Sequence, residues 1–241
     1  MLPEPIKIGC VTLFNIDCME LLKESQDQQY DLAICDPPYG KGTIWKSKTN
    51  KEGYTISLEE QEEMRKWDYA PDANYFSELK RVSKKRIIWG GNYFLEYLGS
   101  CRGPIIWDKG RRAKGHPMLL SDGEFAWSDC NGFLRICTIG QTLKAADRRN
   151  SDGRWHGTQK PIYLYKWLLE RYPKKGDKIL DTHLGSGTHA MACLDLGFEL
   201  TACEISEKYF NEAVKRIKEY VSSHEKIFDV EPVKLEEEGI F

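Results

Sequence analysis

Short apolar runs alternate with segments of helical spacing along this chain. Residues 31–35, DLAIC, form a continuous apolar run with little alternation, which is typical of a strand buried on both faces of a sheet. Residues 161–172, PIYLYKWLLERY, have helical spacing, and Pro161 stands at the first position, where proline is tolerated. The alternation predicts an α/β fold whose mainly parallel sheet has helices on both faces.

The same pattern assigns the other elements. Strands are predicted at 11–17, 31–35, 86–90, 104–108, 178–184 and 198–205, with an antiparallel pair within 124–139. Helices are predicted at 19–25, up to about Lys84 with an interruption near Pro71, and at 161–172, 187–197 and 206–224, with Gly197 and Ser206 as caps. Two polar stretches without periodicity are predicted to be loops, a mobile one at 40–54 and another at 140–158.

Composition bounds the class of protein. The chain has 241 residues, of which 41% are hydrophobic and 30% are charged, so it can close the core of one domain. No apolar run approaches the roughly eighteen residues of a membrane span, and the N-terminus lacks the layout of a signal peptide. We therefore expect a soluble cytoplasmic protein. Its eight cysteines form no CxxC pair and are expected to be reduced thiols, and residues 225–241 to form an acidic tail.

A glycine-rich turn, DTHLGSGT (181–188), lies between a predicted strand and a predicted helix. Glycines at such a turn let a ligand approach the backbone closely. Glu204 ends the next strand, where its carboxylate can accept both hydroxyls of a ribose. Ala190 replaces the third glycine of the phosphate-binding GxGxxG, which favours a nucleoside without an obligatory pyrophosphate. The alternative is an ordinary turn beside a surface glutamate.

The tetrapeptide Asp36-Pro37-Pro38-Tyr39 follows the apolar run 31–35 directly. The carboxyl end of a parallel strand is where α/β sheets bind their ligands. Two prolines remove both N–H groups, so the backbone offers only carbonyl acceptors, to which Asp36 adds a carboxylate and Tyr39 a flat face. These groups suit a flat ligand that donates two hydrogens from one nitrogen, such as the exocyclic amine of a base. The alternative is a rigid turn that ends the strand.

Together the two segments resemble the motifs of the DNA amino-methyltransferases, which transfer a methyl group from S-adenosylmethionine to adenine N6 or cytosine N4. Because DPPY (36–39) precedes the glycine-rich turn here, the chain is similar to the circularly permuted β class. The resemblance spans residues 9 to about 220. It implies a Rossmann-like methyltransferase fold with a mainly parallel seven-stranded sheet, in a single domain over 1–224 with a short target-recognition insertion within about 109–158.

The resemblance also implies how S-adenosylmethionine is bound. Asp17 would accept from the adenine amine and Glu204 from the ribose, while HGTQKP (156–161) resembles the HPTQKP that lines the methionine end. The chain departs from the family at Thr182 and His183, where proline and phenylalanine are usual. The full implied set is Asp17, Cys18, Asp36, Thr158, Lys160, Asp181, His183, Gly185, Ser186, Gly187, Thr188 and Glu204.

DPPY, rather than SPPY, resembles the adenine branch of the family, so we expect an adenine-N6 DNA methyltransferase. Asp36 and the Pro37 carbonyl would accept the two N6 hydrogens and leave the nitrogen lone pair free. The base must be flipped out of the duplex, with Tyr39 stacking on it. Cytosine N4 and adenine in RNA are alternative substrates, and a non-catalytic nucleic-acid binder is a third hypothesis. This chemistry needs no metal, and the sequence contains no metal-ligand cluster.

A net charge of −2 conceals a basic segment, since residues 101–160 contain 11 Lys+Arg and 6 Asp+Glu. Basic loops near one sheet edge can hold DNA phosphates. The family resemblance adds a homodimer and a cognate restriction endonuclease as expected partners, and little chain is left for target recognition, so we expect a short or relaxed target site. The expected DNA contacts are Lys41, Lys46, Lys48, Lys109, Arg111, Arg112, Lys114, Arg148, Arg149 and Arg154.

Overall fold

The computed structural model describes residues 2–40, 62, 68–110, 121–130, 132–139 and 159–228. The strands are β1 (Ile6–Ile8), β2 (Val11–Asn15), β3 (Tyr30–Cys35), β4 (Ser83–Trp89), β5 (Ile105–Asp108), β6 (Gly123–Ser128), β7 (Arg135–Thr138), β8 (Lys178–Asp181) and β9 (Glu199–Glu204). The helices are α1 (Cys18–Glu24), α2 (Ala73–Val82), α3 (Leu95–Leu98), α4 (Ile162–Leu169), α5 (Thr188–Leu196) and α6 (Glu207–Phe228), with a 3₁₀ turn at Gly91–Tyr93.

Within these residues the strands form one mixed sheet in the order β1-β2-β9-β8-β3-β4-β6-β5-β7. The run from β2 through β9, β8 and β3 to β4 is parallel throughout, so the carboxyl ends of these five strands meet at one edge. β1 and β6 pair antiparallel with this parallel run, and β5 pairs antiparallel with β6. The predicted fold class is confirmed, with two strands more than the seven expected.

The middle strand, β3, is covered on both faces, as its apolar run predicts. Leu32 and Ile34 belong to a core cluster with the inward faces of α4, α5 and α6. Ala33 and Cys35 point to the opposite face, into a second cluster with α1 and α2. Successive side chains of a strand alternate between faces, so a strand between two helical layers has no polar side.

The sequence prediction was wrong in the details of several elements. The two strands within 124–139 do not pair, because β5 lies between β6 and β7. The helix predicted to reach Lys84 ends at Val82, since Ser83 already pairs with Tyr30 in the parallel ladder. The three-residue edge strand β1 was missed, and α6 continues to Phe228 rather than 224. The predicted loops at 41–54 and 140–158 and the tail beyond 228 lie outside the described residues.

The cysteines agree with the expectation from the sequence. All eight are free thiols, and four of them are buried. Trp107 and Trp127 are also buried in the core, at 6% and 5% exposure. In the part of the chain that the structure describes, none of the helices combines the length and apolar character needed to cross a bilayer.

Candidate active site

Four neighbouring parallel strands each end at an acidic residue. Glu204 and Asp181 are the last residues of β9 and β8, Asp36 directly follows β3, and Asp17 lies two residues beyond the end of β2. Because these strands are adjacent in the sheet, the four carboxylates lie along one edge. The structure thus brings the DPPY tetrapeptide beside the glycine-rich turn, although the two are far apart in the sequence.

The glycine-rich turn is fixed by left-handed backbone and by the carboxylate of Glu204. Gly185 and Gly187 have φ of 53° and 76°, a region in which glycine avoids the strain of a side chain. The Gly185 N–H donates to Glu204 Oε2 at 3.0 Å, and the Ser206 N–H donates to Oε1 at 3.1 Å. Burial raises the pKa of Glu204, although these two N–H donors oppose the rise. The acid predicted to hold a ribose is therefore held at the rim of the turn.

A buried arginine donates hydrogen bonds to the glycine-rich turn, and the sequence analysis did not identify it. Arg216, on the inner face of α6, donates from Nη1 to the Ser186 carbonyl at 2.7 Å and to Thr188 Oγ1 at 3.1 Å. The Ser186 and Thr188 hydroxyls also lie 2.9 Å apart. The available signal was the position of Arg216 between the apolar residues Ala213 and Ile217, on the face that the helix buries.

Asp17 follows β2 and lies next to the end of β9 on this edge of the sheet. Its Oδ1 accepts from the Met19 N–H at 2.8 Å and so caps α1. Asn15 donates from Nδ2 to the Glu204 carbonyl at 2.8 Å, which ties the ends of β2 and β9 together. The thiol of Cys18 is largely buried, and burial raises its pKa. One Asp17 oxygen carries the cap, and a carboxylate has further lone pairs to offer a ligand amine.

His183 occupies the place of the usual phenylalanine as a neutral ring. Its Nδ1 lies 2.9 Å from Thr182 Oγ1, and its ring meets the ring of Tyr75 edge-on at 5.6 Å. Burial lowers the pKa of His183 to about 4, which outweighs the opposite influence of Asp181 and Asp17. At neutral pH this side chain is therefore an uncharged aromatic plane, and the departure from the family pattern preserves the character of the position.

A second buried histidine, not singled out by sequence reasoning, holds Asp181. His189 Nδ1 lies 2.9 Å from Asp181 Oδ2, and the two side chains are 1% and 2% exposed. The His189 ring stacks on Tyr165 with ring centroids 4.6 Å apart. The other oxygen of Asp181 accepts from the His183 N–H at 3.0 Å. Asp181 is thus oriented by partners on both of its oxygens.

Asp36 is also held on both of its oxygens. The Tyr39 hydroxyl donates to Oδ1 at 2.9 Å, and Lys160 Nζ donates to Oδ2. Burial raises the pKa of Asp36, and the Lys160 charge opposes the rise. The Tyr39 ring contacts Tyr93 at a centroid distance of 5.0 Å, at the end of the site next to β4. The tetrapeptide therefore presents an oriented carboxylate beside an aromatic face.

Lys160 belongs to a chain of alternating charges. Its Nζ lies 3.3 Å from Glu124 Oε2, and Lys109 Nζ lies 2.6 Å from Glu124 Oε1. Lys109, expected on DNA, is only 16% exposed and lies 5.0 Å from the centroid of the Trp107 ring. Sequence reasoning missed Glu124, whose signal was an acid among apolar residues of a predicted strand. The remaining expected DNA contacts and Thr158 lie outside the described residues.

The side chains along this edge suit a cationic nucleoside. Asp17, Glu204 and Asp181 place three carboxylates at the ends of the adjacent strands β2, β9 and β8. Carboxylates repel phosphate but accept from ribose hydroxyls and amines. Ile205, next to Glu204, is 54% exposed and offers an apolar surface to a base. The donor and acceptor set therefore fits S-adenosylmethionine, which carries a sulfonium and an ammonium, better than it fits a nucleotide.

Comparisons with known proteins agree with this arrangement. Residues 58–215 match a family model described as DNA methylase, of the N6 and N4 type. The type II methyltransferase M.HinfI of Haemophilus influenzae is 25% identical over 272 residues, which cover 91% of this chain and 71% of that protein. The type II methyltransferase M2.DpnII of Streptococcus pneumoniae is 36% identical over 179 residues, which cover 73% of this chain and 60% of that protein.

Solved structures share the fold at low sequence identity. The M1.HpyAVI–SAM complex has a TM-score of 0.55 and 17% identity, and the match covers 86% of this chain and 98% of that one. The cytosine-N4-specific PvuII DNA methyltransferase has a TM-score of 0.54 and 13% identity, over 92% of this chain and 93% of that one. These likenesses confirm the expected fold class.

Proposed function

We propose that this chain, which belongs to the DNA methylase family of the N6 and N4 type, methylates the N6 amine of an adenine flipped out of DNA. The observation that carries the proposal is the pairing of β3 with β8, which sets the oriented Asp36 carboxylate beside the glycine-rich turn. The cofactor is S-adenosylmethionine, which supplies a methyl carbon carried on a sulfonium. The residues of this chain bind both partners and position the amine.

The cofactor residues divide by the part of the ligand that each can recognise. Glu204 accepts from the ribose hydroxyls, and Asp17 accepts from the adenine amine. Asp181, held by His183 and His189, would complement the ammonium of the methionine end through its negative charge. His183 packs as a neutral ring within this set. The turn from Gly185 to Thr188 gives the ligand access to the backbone.

At the target, Asp36 and the Pro37 carbonyl accept the two hydrogens of the adenine amine. This favours a pyramidal nitrogen whose lone pair is free to attack the methyl carbon. After transfer the methylated amine is cationic and gives up one proton to solvent, so Asp36 acts as an acceptor and an electrostatic support rather than as a strong base. Tyr39 stacks on the base and, through its hydroxyl, helps to orient Asp36.

The decisive experiment is methyl transfer from labelled S-adenosylmethionine to unmethylated genomic DNA, followed by nucleoside analysis. We expect label in N6-methyladenine and at least a hundredfold lower incorporation for Asp36→Ala, since positioning of the amine is lost. Label found only in 4-methylcytosine would overturn the choice of base, and transfer to RNA alone would overturn the choice of DNA. Full activity of Asp36→Ala would overturn the assignment of the site.

The remaining partners follow from the family and from the type II relatives. We expect a homodimer, which sedimentation at several concentrations measures, and a cognate endonuclease, against which DNA from expressing cells should be protected. The basic residues at 41–48, 111–114 and 148–154 are proposed to contact phosphates, whereas Lys109 is engaged with Glu124. Replacing them in groups should weaken binding and reduce the dependence of affinity on salt, by about one unit of log–log slope per lost contact.

A further inference from the structure

We infer that Lys160 is a positioning residue for Asp36, and that Glu124 sets how much of the Lys160 charge Asp36 receives. This role rests on the proposed function, because it concerns the carboxylate that accepts the target amine. It differs from the expected contact of Lys160 with the cofactor. The observation behind it is one ammonium, that of Lys160, shared between the carboxylates of Asp36 and Glu124 at the edge of the sheet.

The geometry leaves Lys160 little freedom. Its side chain is 3% exposed, and its Nζ lies 5.3 Å from the centroid of the fully buried Trp89 ring. From there it donates to Asp36 Oδ2 and lies 3.3 Å from Glu124 Oε2. A buried ammonium in this position is a fixed charge and a fixed donor. It therefore determines which Asp36 lone pairs point away from the sheet and remain for a ligand.

The same contact supports the charge on Asp36. The ionised carboxyl accepts on both oxygens and carries the negative charge that supports the amine during transfer, whereas protonation removes the charge and turns one oxygen into a donor. Burial disfavours the ionised form, and the Lys160 ammonium favours it. Among the described residues, the Tyr39 hydroxyl, the Tyr165 hydroxyl and Glu124 also interact electrostatically with Asp36. Lys160 is the cation that contacts Asp36 directly.

Glu124 acts on Asp36 in the opposite direction. Its negative charge competes for Lys160 and disfavours a second ionised carboxyl nearby. Lys109 neutralises part of that charge from the far side, and together the two lysines lower the pKa of Glu124 although burial raises it. Removing Lys160 and removing the Glu124 charge should therefore shift the ionisation of Asp36 in opposite directions.

The test is the pH dependence of kcat with saturating S-adenosylmethionine and DNA, for the wild type, Lys160→Met and Glu124→Gln. The acidic limb of the pH–kcat profile reports the ionisation of Asp36. For Lys160→Met we expect this limb to move to higher pH by about one unit or more, because Asp36 loses the ammonium that favours its ionised form. The activity lost near neutral pH should then be partly recovered at pH 9. For Glu124→Gln we expect the acidic limb to move down. Lys160→Arg keeps the charge and should restore the wild-type limb, although with lower kcat.

Two controls separate this inference from its alternatives. S-adenosylmethionine affinity, measured by calorimetry, should stay within about threefold in Lys160→Met. The reason is that the Lys160 ammonium contacts Asp36 and Glu124 rather than the carboxylates of β2, β8 and β9. The positioning role of Lys160 is overturned if the acidic limbs of Lys160→Met and Glu124→Gln do not move. It is also overturned if Lys160→Met loses only affinity for S-adenosylmethionine. If Lys160→Met does not fold, Glu124→Gln provides the test: a shift of its acidic limb to lower pH supports the inference, and a shift to higher pH or no shift overturns it. A fully active Asp36→Ala in the same assay instead overturns the proposed function, whereas an inactive Asp36→Ala together with unmoved acidic limbs for the Lys160 and Glu124 variants overturns only this inference.

Discussion

Gly90 and Tyr39 are packed so closely that a side chain at position 90 has no room. A Cβ added to Gly90 would lie 2.1 Å from Tyr39 Cε1 and 2.4 Å from Cζ. Gly90 follows β4, and β4 pairs with β3, which leads into the tetrapeptide. The backbone at the end of one strand is therefore the support for the aromatic ring at the end of its neighbour.

Replacing Gly90 with alanine should displace the Tyr39 ring and the hydroxyl that donates to Asp36. We expect kcat to fall by tenfold or more, since misplacement of a positioning group by about 1 Å can cost on the order of a hundredfold. The matched control is Gly197→Ala, because Gly197 has a similar φ of 70°, against 66° at Gly90, but open space around its Cβ. Steady-state kinetics with both variants separates the contact with Tyr39 from backbone strain; equal losses would contradict the prediction.

Arg216 should act on cofactor affinity rather than on turnover. Replacing it with methionine removes the donors that hold the Ser186 carbonyl and Thr188 hydroxyl, and hydrogen bonds from charged groups contribute about 1.5–3 kcal/mol. We expect the Kd for S-adenosylmethionine to rise at least tenfold, with kcat little changed at saturation. Calorimetry is the measurement. Lys215→Met, at an exposed position of the same helix, should bind normally, and a normal Kd for Arg216→Met would count against the role.

His183 should make the fold more sensitive to acid. Its pKa of about 4 in the folded chain is below the ordinary value of 6.5, so the unfolded chain takes up the proton first as pH falls. The His183 contribution to stability is thus complete above about pH 6.5 and is lost as pH falls toward 4. Urea unfolding at several pH values should show a shallower acid loss for His183→Phe than for the wild type. Parallel pH profiles would refute this.

The same variant tests the aromatic role of His183. Because phenylalanine keeps an uncharged ring, His183→Phe should bind S-adenosylmethionine with an affinity close to that of the wild type at pH 7.5. His183→Ala, which removes the ring, should bind more weakly. An NMR titration of the imidazole would place the pKa directly.

His189 should matter for stability through Asp181. His189→Leu leaves a buried carboxylate oxygen without its ring partner, and an unsatisfied buried acceptor costs about 1–3 kcal/mol, more for a charged group. Denaturant unfolding at neutral pH should show at least this loss. His224→Leu, at a more exposed position of α6, should change stability by about 0.5 kcal/mol or less. Comparable losses for the two variants would contradict the special position of His189.

Local chemistry made much of the site readable in the sequence. One readable segment is the continuous apolar run followed by DPPY, and the other is the glycine turn followed by an acid at the end of the next strand. Each predicts the local backbone and the side chains that it presents. Residues that act across elements were not readable. Arg216, His189 and Glu124 each work on a group supplied by another element, and a buried charged or imidazole side chain resembles an ordinary surface residue until its partner is known.

The sequence by itself determined the alternating elements, the order of the two motifs and the acidic residues at the strand ends, because these depend on side-chain periodicity and turn chemistry within short segments. Only the tertiary structure decided that β3 lies beside β8, that β5 separates β6 from β7, and that Lys160 is directed to Asp36. Strand order is settled by packing between distant segments, and the pairing of buried charges follows from that packing. Lys160 was expected at the cofactor from its motif, and the fold places its ammonium on the carboxylate proposed to receive the target amine.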